Sequence, residues 1–270
     1  MNEVILKAFA KINLYLAITS KRSNGYHDIL TLMHNVSLYD LIDIEESEKT
    51  VFSSNFNLEW NESNTLYKTL DLFEKMTGQR IGLKIHLEKH IPSPSGLGGG
   101  SADAAALLWY LCKTRNISDM DEMAILIGSD VPFFINGGCA VVEGIGENIN
   151  RLEPLELKME MYFPEIGFST KYMYKLIDDL GLIGTKGDPY KLYDGIKNKD
   201  ENLTGQNIYN AFEIAASQRF PLIVNEARTN LDSHRFITMT GSGSAFVGFD
   251  LHGISKGDVQ LTARPRLILK

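Results

Sequence analysis

Ile91-Pro-Ser-Pro-Ser-Gly-Leu-Gly-Gly-Gly-Ser-Ala-Asp-Ala-Ala-Ala106 runs from a proline-marked turn through a glycine cluster into an apolar segment, and its residue types suit the binding of an anion. Gly96, Gly98, Gly99 and Gly100 lack Cβ, so the backbone can adopt positive φ and aim several N–H groups at one point. Ser101 stands where an N-cap belongs, and Ala104 to Leu111 are strong helix formers, which brings the positive end of a helix dipole to the same place. A glycine-rich turn that merely caps a helix is the plain alternative. Against it stands Lys84-Ile-His-Leu-Glu88, which alternates as a strand does, so the cluster lies between strand and helix, where nucleotide phosphates sit. No G-x-x-x-x-G-K-[ST] occurs, which excludes a Walker loop. The dinucleotide fingerprint fails too, because Ser101 and Asp103 fall where its last glycine is needed.

The elements that must hold this cradle can be read around it. Val4 to Ala10 and Leu14 to Ile18 are expected as short strands flanking Lys11-Ile-Asn13, with a hairpin turn at Asn24-Gly25. Val36 to Ile44 is a further strand, and Asn64 to Met76 carries Leu66, Leu70, Leu72 and Phe73 at helical spacing. A helix from a Ser118 cap stops at Gly128, before the constrained turn Gly128-Ser-Asp-Val-Pro-Phe-Phe134. The pattern restarts near residue 150, where a domain boundary is expected. Beyond it come a strand (Met159 to Phe163) and helices over Thr170 to Leu180, Asn207 to Gln218 and Leu222 to Leu231. Phe236 to Phe249 reads as strand, glycine turn, strand, and Gly181 to Gln206, without periodicity, as a mobile loop or an active-site flap.

With 270 residues, 44% of them hydrophobic, the chain has ample material for a core. Its net charge of −7 argues against a chain-wide field for nucleic acid or membrane, so a phosphate must be gripped locally. Cys112 and Cys139 have no metal-ligand spacing and are expected as buried thiols. The charged N-terminal stretch is not a secretory signal, and the longest apolar run, Ala104 to Cys112, is far short of a membrane span, so a cytoplasmic protein is expected.

Four motifs then fall in one order: Ala8-Phe-Ala-Lys-Ile-Asn-Leu14 with Asn24-Gly-Tyr-His27, the glycine cluster, Gly128-Ser-Asp-Val-Pro132, and Thr240-Gly-Ser-Gly-Ser244. Over residues 5 to 249 the chain resembles the galactokinase, homoserine kinase, mevalonate kinase and phosphomevalonate kinase (GHMP) superfamily, and within it the 4-diphosphocytidyl-2-C-methyl-D-erythritol kinase family. The resemblance implies an α+β fold of two domains. Residues 1–150 would be a ribosomal-protein-like ATP-binding domain and residues 151–270 a ferredoxin-like substrate domain. It implies phosphoryl transfer from ATP, with Mg2+, to a hydroxyl of a small cytidylylated substrate in non-mevalonate isoprenoid synthesis.

Residue by residue, Asp130 matches the family's catalytic carboxylate and Lys11 its accompanying lysine. A carboxylate beside an alcohol can take its proton, and a lysine beside both keeps that carboxylate ionised. From their own neighbourhoods alone, Asp130 would equally suit an Asx turn and Lys11 a solvated strand edge. On the ATP side the resemblance implies Asn64 and Lys89 at the adenine end, with Gly96 and Gly98, Gly99, Gly100, Ser101, Ala102 and Asp103 around the phosphates. Magnesium would rest mainly on phosphate and water, with Ser101 the nearest hydroxyl and no side chain assigned as a metal ligand. On the substrate side it implies Tyr26 stacking on cytosine, Asn13 and His27 in polar contact, Thr170 and a second aromatic, Tyr174 in preference to Tyr172, from a later helix, and Gly241 and Ser242 closing against the cradle. The chain departs from the family at Pro92 to Ser95, at Ala102, and after Phe249, where no amphipathic helix is found. Other small-molecule kinases of the superfamily, or a nucleotide- or RNA-binding module without catalysis, are the competing readings.

Overall fold

The computed structural model describes residues 3–252, 259–262 and 266–268. The first half contains β1 (Val4–Lys21), β2 (His27–Glu46), β3 (Val51–Ser54), α1 (Thr65–Thr77), β4 (Leu83–Glu88), α2 (Gly99–Arg115), α3 (Met120–Ile127), α4 (Val131–Asn136), β5 (Cys139–Gly144) and β6 (Asn148–Leu152). The second contains β7 (Lys158–Tyr162), α5 (Thr170–Leu180), α6 (Pro189–Lys197), α7 (Glu201–Asn207), β8 (Tyr209–Asn210), α8 (Ala211–Arg219), α9 (Pro221–Asn230), β9 (Phe236–Met239), β10 (Phe246–Phe249), β11 (Val259–Gln260) and β12 (Arg266–Ile268).

The two short strands expected around Lys11 are one strand of 18 residues, paired antiparallel with β2 along its length. The pairing survives because register shifts between Phe9 and Lys11 and between Asn13 and Tyr15 bend the ribbon instead of ending it. Such bulges sharpen the twist and re-aim side chains, and here they flank Lys11 and Asn13. Strand order β12-β1-β2-β4-β3, with β8 on β1, β5 on β2 and β6 beyond β5, completes a mixed eight-stranded sheet among the described residues. A second, antiparallel sheet runs β11-β7-β10-β9. The tail strands β11 and β12 thus join different sheets, and the rest of the tail expectation lies outside the described residues.

One face of the large sheet is covered by α1 to α4, whose core includes Leu66, Phe73, Leu107, Leu111, Phe133 and Phe134. α2 is buried nearly all round, as a central helix without a polar face must be. A second apolar cluster joins β1 to β10 and α6, and a third packs α5, α8 and α9 against Met239 and Phe246 of the small sheet. Cys112 and Cys139 are free and buried, and burial pushes their thiols up to about 11 and about 12.

Residues 181–206, expected as loop or flap, hold α6 and α7. Leu192, Tyr193 and Ile196 of α6 are buried in the second cluster. The two helices pack so closely that a Cβ on Gly195 would stand 2.8 Å from the Thr204 amide nitrogen. The glycine that disguised this helix in the sequence is what lets it pack.

Candidate active site

Where β1, the head of α2, the head of α4 and the β9–β10 turn converge, they enclose a cleft of about 1570 Å³. A site for one small ligand usually takes 300–1,000 Å³, so this one has room for two. Its lining includes every residue assigned above to catalysis, ATP or substrate except the buried Ala102.

Ser101 is not the N-cap of α2. That position is Gly98, at φ 70° and ψ 23°, a left-handed conformation that glycine adopts without strain. Ala102 is the first amide to find an intrahelical acceptor, Gly98 O at 2.9 Å, so the amides of Gly99, Gly100 and Ser101 are left at the helix mouth. Side chains would fill this mouth: a Cβ on Gly98 would meet the Phe134 ring at 3.0 Å and Lys11 Cε at 3.2 Å. The cradle is therefore walled by backbone and aimed at an anion.

The loop is locked from the other side by the β9–β10 turn. A Cβ on Gly96 would lie 2.3 Å from Thr240 O, and one on Gly241 would lie 2.6 Å from Gly96 O. Asn210 Nδ2 donates to Met239 O at 2.7 Å and Gly241 O at 3.1 Å, pinning the turn. Thr170 and Ser242 hydroxyls meet at 2.9 Å, tying the head of α5 to the same turn.

Lys11 and Asp130 come together. Lys11 is 4% exposed, donates to Gly96 O at 2.8 Å and to Asn13 Oδ1, and lies 3.8 Å from Asp130 Oδ2. Burial lowers the Lys11 ammonium below its ordinary range, while the Asp130 charge works to restore it. Asp130 is the N-cap residue of α4, yet its side chain makes no capping bond, so the carboxylate is spent on the cleft. Asn13 is aimed by Thr31 Oγ1, which accepts from Asn13 Nδ2, and by Thr240 Oγ1, which accepts from the Asn13 amide, both at 2.8 Å.

Lys89 is held apart from this pair. It donates to Asp40 and, at 2.8 Å, to Asp103 Oδ2, beneath Gly99. Burial opposes its charge, but Asp103 and Asp40 outweigh burial and raise it. Asp103 is pushed up to about 7 by burial, against the pull of Lys89. Asn64 caps α1, accepting from Leu66 N at 2.9 Å, and also lines the cleft.

At the opposite end, Tyr26 is 62% exposed on its turn. The ring of Tyr174 stacks on His27, 4.9 Å between centroids, and meets Phe212 edge-on. Tyr172 leans instead on Phe220. Sequence reasoning missed Asp40, which anchors the His90 and Ile91 amides at 2.6 and 2.8 Å, and Asp178, which holds His27. Asp178 had a legible signal, since it lies one helical turn beyond Tyr174; Asp40 had none.

The sequence profile described as the GHMP kinases N terminal domain matches residues 64–138, from the α1 cap through α4. The chain is 42% identical over 248 residues to the 4-diphosphocytidyl-2-C-methyl-D-erythritol kinase of Petrotoga mobilis, covering 88% of this chain and 96% of that one. It is 41% identical to the kinase of the same name from Thermosipho africanus, covering 90% of each. Among solved structures, a 4-(cytidine 5'-diphospho)-2C-methyl-D-erythritol kinase superposes with TM-score 0.78 at 30% identity over 91% of this chain and 89% of its own. A homoserine kinase from Cytophaga hutchinsonii, at 15% identity and TM-score 0.69 over 100% and 98%, shares the fold alone.

Proposed function

Since the chain belongs to the 4-diphosphocytidyl-2-C-methyl-D-erythritol kinase family, an ATP-using phosphotransferase family with an alcohol acceptor, we propose that its cleft binds both substrates and moves the ATP γ-phosphoryl group onto the 2-hydroxyl of that cytidylylated erythritol. The observation that carries this reading is the meeting of Lys11 and Asp130 at 3.8 Å beside the mouth of the glycine cradle.

Phosphoryl transfer asks the protein mainly for positioning and charge balance. The free amides of Gly99, Gly100 and Ser101 and the α2 dipole would hold the phosphates, with Asn64 and the backbone around Lys89 towards the nucleoside. Asp130, uncommitted to its helix, would take the hydroxyl proton as the oxygen bonds to phosphorus. Such a general base contributes about 10²–10⁴ in rate. Lys11 would balance the charge that spreads over the transferring group. The bond from phosphorus to the bridging oxygen then breaks and ADP leaves with the electron pair.

Among the described residues no group of three His, Cys, Asp or Glu side chains gathers into a metal cage. The Ser101 hydroxyl on the cleft wall fits Mg2+, which keeps several waters and relies on phosphate oxygens. When bound, it would neutralise β- and γ-phosphate charge. At the other end Tyr26 and Tyr174 would enclose the cytosine, with His27, Asn13, Thr170, Gly241 and Ser242 along the substrate. We further propose the division near residue 150, a ribosomal-protein-like first domain and a ferredoxin-like second, and a cytoplasmic setting for these soluble substrates. No helix among the described residues is long and apolar enough to cross a membrane.

The test is ADP release by purified protein given the cytidylylated methylerythritol, homoserine or mevalonate. Turnover is expected with the first alone. Preferred turnover of homoserine or mevalonate would overturn the substrate assignment.

A further inference from the structure

We infer that Gly146, in the turn between β5 and β6, is a positioning residue: its bare backbone is the stop that fixes Ser129, and through Ser129 the direction in which Asp130 reaches the cleft. This inference rests on the functional reading above, in which Asp130 is the general base.

Gly128, Ser129 and Asp130 connect α3 to α4. The Asp130 carboxylate makes no capping bond, is 29% exposed and stands 3.8 Å from Lys11, so its aim comes from the backbone that carries it. On the helix side that backbone is held by the Phe134 amide, which donates to Asp130 O at 3.4 Å. On the other side it leans on the β5–β6 turn. A Cβ on Gly146 would lie 2.3 Å from Ser129 O and 3.0 Å from Ser129 C. Both are main-chain atoms, which cannot swing aside as the end of a side chain can. To restore an ordinary contact the Ser129 carbonyl would have to retreat by about 1 Å, taking the next residue with it.

The turn is tied down on its own account. The Gly146 amide donates to Glu143 O at 3.3 Å, and the Ile145 amide to Glu147 Oε2 at 2.6 Å. Arg22 then clasps Glu147 Oε1 at 3.2 Å and Asp28 Oδ1 at 2.6 Å, which joins the turn to β2. Ser129, Asp130 and Gly146 all line the cleft. The glycine cradle takes no part in this contact, because it is locked by the β9–β10 turn. A shift of Ser129 therefore disturbs the base and spares the grip on ATP.

Gly146 also sits at φ 119°, where any side chain is strained, so the experiment must separate strain from contact. Gly184 supplies the control: it lies at φ 136°, and a Cβ there would meet nothing within 4 Å. In Gly146→Ala kcat for the cytidylyl substrate should fall about a hundredfold, as a misplacement near 1 Å can cost, with KM for ATP changed by no more than about twofold. Gly184→Ala should keep kcat within about twofold of wild type. Crystal structures of the two free variants should show a lengthened separation of Lys11 and Asp130 in Gly146→Ala alone. Equal losses of kcat in both variants overturn the inference, and so does an Asp130 that stays in place in Gly146→Ala. Should Gly146→Ala fail to fold, Glu147→Ala decides. It frees the turn from Arg22 without adding an atom against Ser129, and it should lower kcat about fivefold at steady KM for ATP; an unchanged kcat overturns the inference. If wild type does not turn over the cytidylyl substrate, the functional reading falls, and the crystal structures alone decide this one.

Discussion

Lys11 and Lys89 are both buried lysines beside one glycine loop, and they have opposite fates. Lys89 sits between two carboxylates, Asp40 and Asp103, and together these hold its ammonium charged against the cost of burial. Lys11 has one carboxylate, Asp130, at 3.8 Å, and burial wins. A buried cation that is fully paired braces the fold, while one left underpaired gains most from a further anion brought beside it. Lys89 braces the cradle from beneath Gly99, and in the proposed reaction Lys11 serves it.

The comparison breaks most sharply at the underpaired site. Asp130→Asn should cut kcat by about 10²–10⁴ in a steady-state ADP assay. Lys11→Met should also lose most activity yet keep its unfolding free energy within about 1 kcal/mol of wild type, because the one carboxylate it leaves unpaired, Asp130, is partly exposed to water. A strongly destabilised Lys11→Met would show that this lysine braces the fold as well.

Lys89→Met strands two carboxylates and should destabilise by about 3–5 kcal/mol in denaturant unfolding. An unchanged midpoint would remove Lys89 from the structural side.

His34 tests the same rule with a group that solved burial by staying neutral. Its Nδ1–H donates to Asn35 O at 2.8 Å, and Nε2 accepts from the Leu155 amide at 2.9 Å. Burial pushes it down to about 4, against the Asn35 bond. The unfolded chain therefore binds the extra proton between pH 6.5 and 4. The contribution to stability is complete above about pH 6.5 and is lost as pH falls to about 4, a swing of roughly 3 kcal/mol. His34→Gln should flatten that part of the stability curve, and an equally steep curve would locate the acid transition elsewhere. Smallest is Asn64→Ala, which removes the α1 cap and should cost about 1 kcal/mol of stability. A larger loss in KM for ATP than that cap can explain would mark Asn64 as a nucleotide contact.

The parts of the site that consist of local conformation were legible. Glycines in a row, an Asn64 cap and the Thr170 helix announce themselves over a few residues, and the structure has a helix behind each. What depended on distant partners was not. The continuity of β1 is settled by β2, whose pairing tolerates two bulges beside the lysine and asparagine that looked like an interruption. The cap of α2 moved from Ser101 to Gly98 because a left-handed glycine starts the helix a full turn early. α6 and α7 were hidden by their shortness and by Gly195 and Gly205, although Asp188 before Pro189 and Asp200 are sound start signals. Asp40 was invisible because a lone aspartate in a strand says nothing about amides fifty residues on, those of His90 and Ile91.

The seam between Gly96 and Gly241 has a bearing on inhibition. Its wall is main chain, and no room exists on either side for even a methyl group. A drug that drew its grip from this seam would press on atoms common to all twenty amino acids, and the usual escape of a resistant strain, exchanging one contacting side chain for another, would be closed to it.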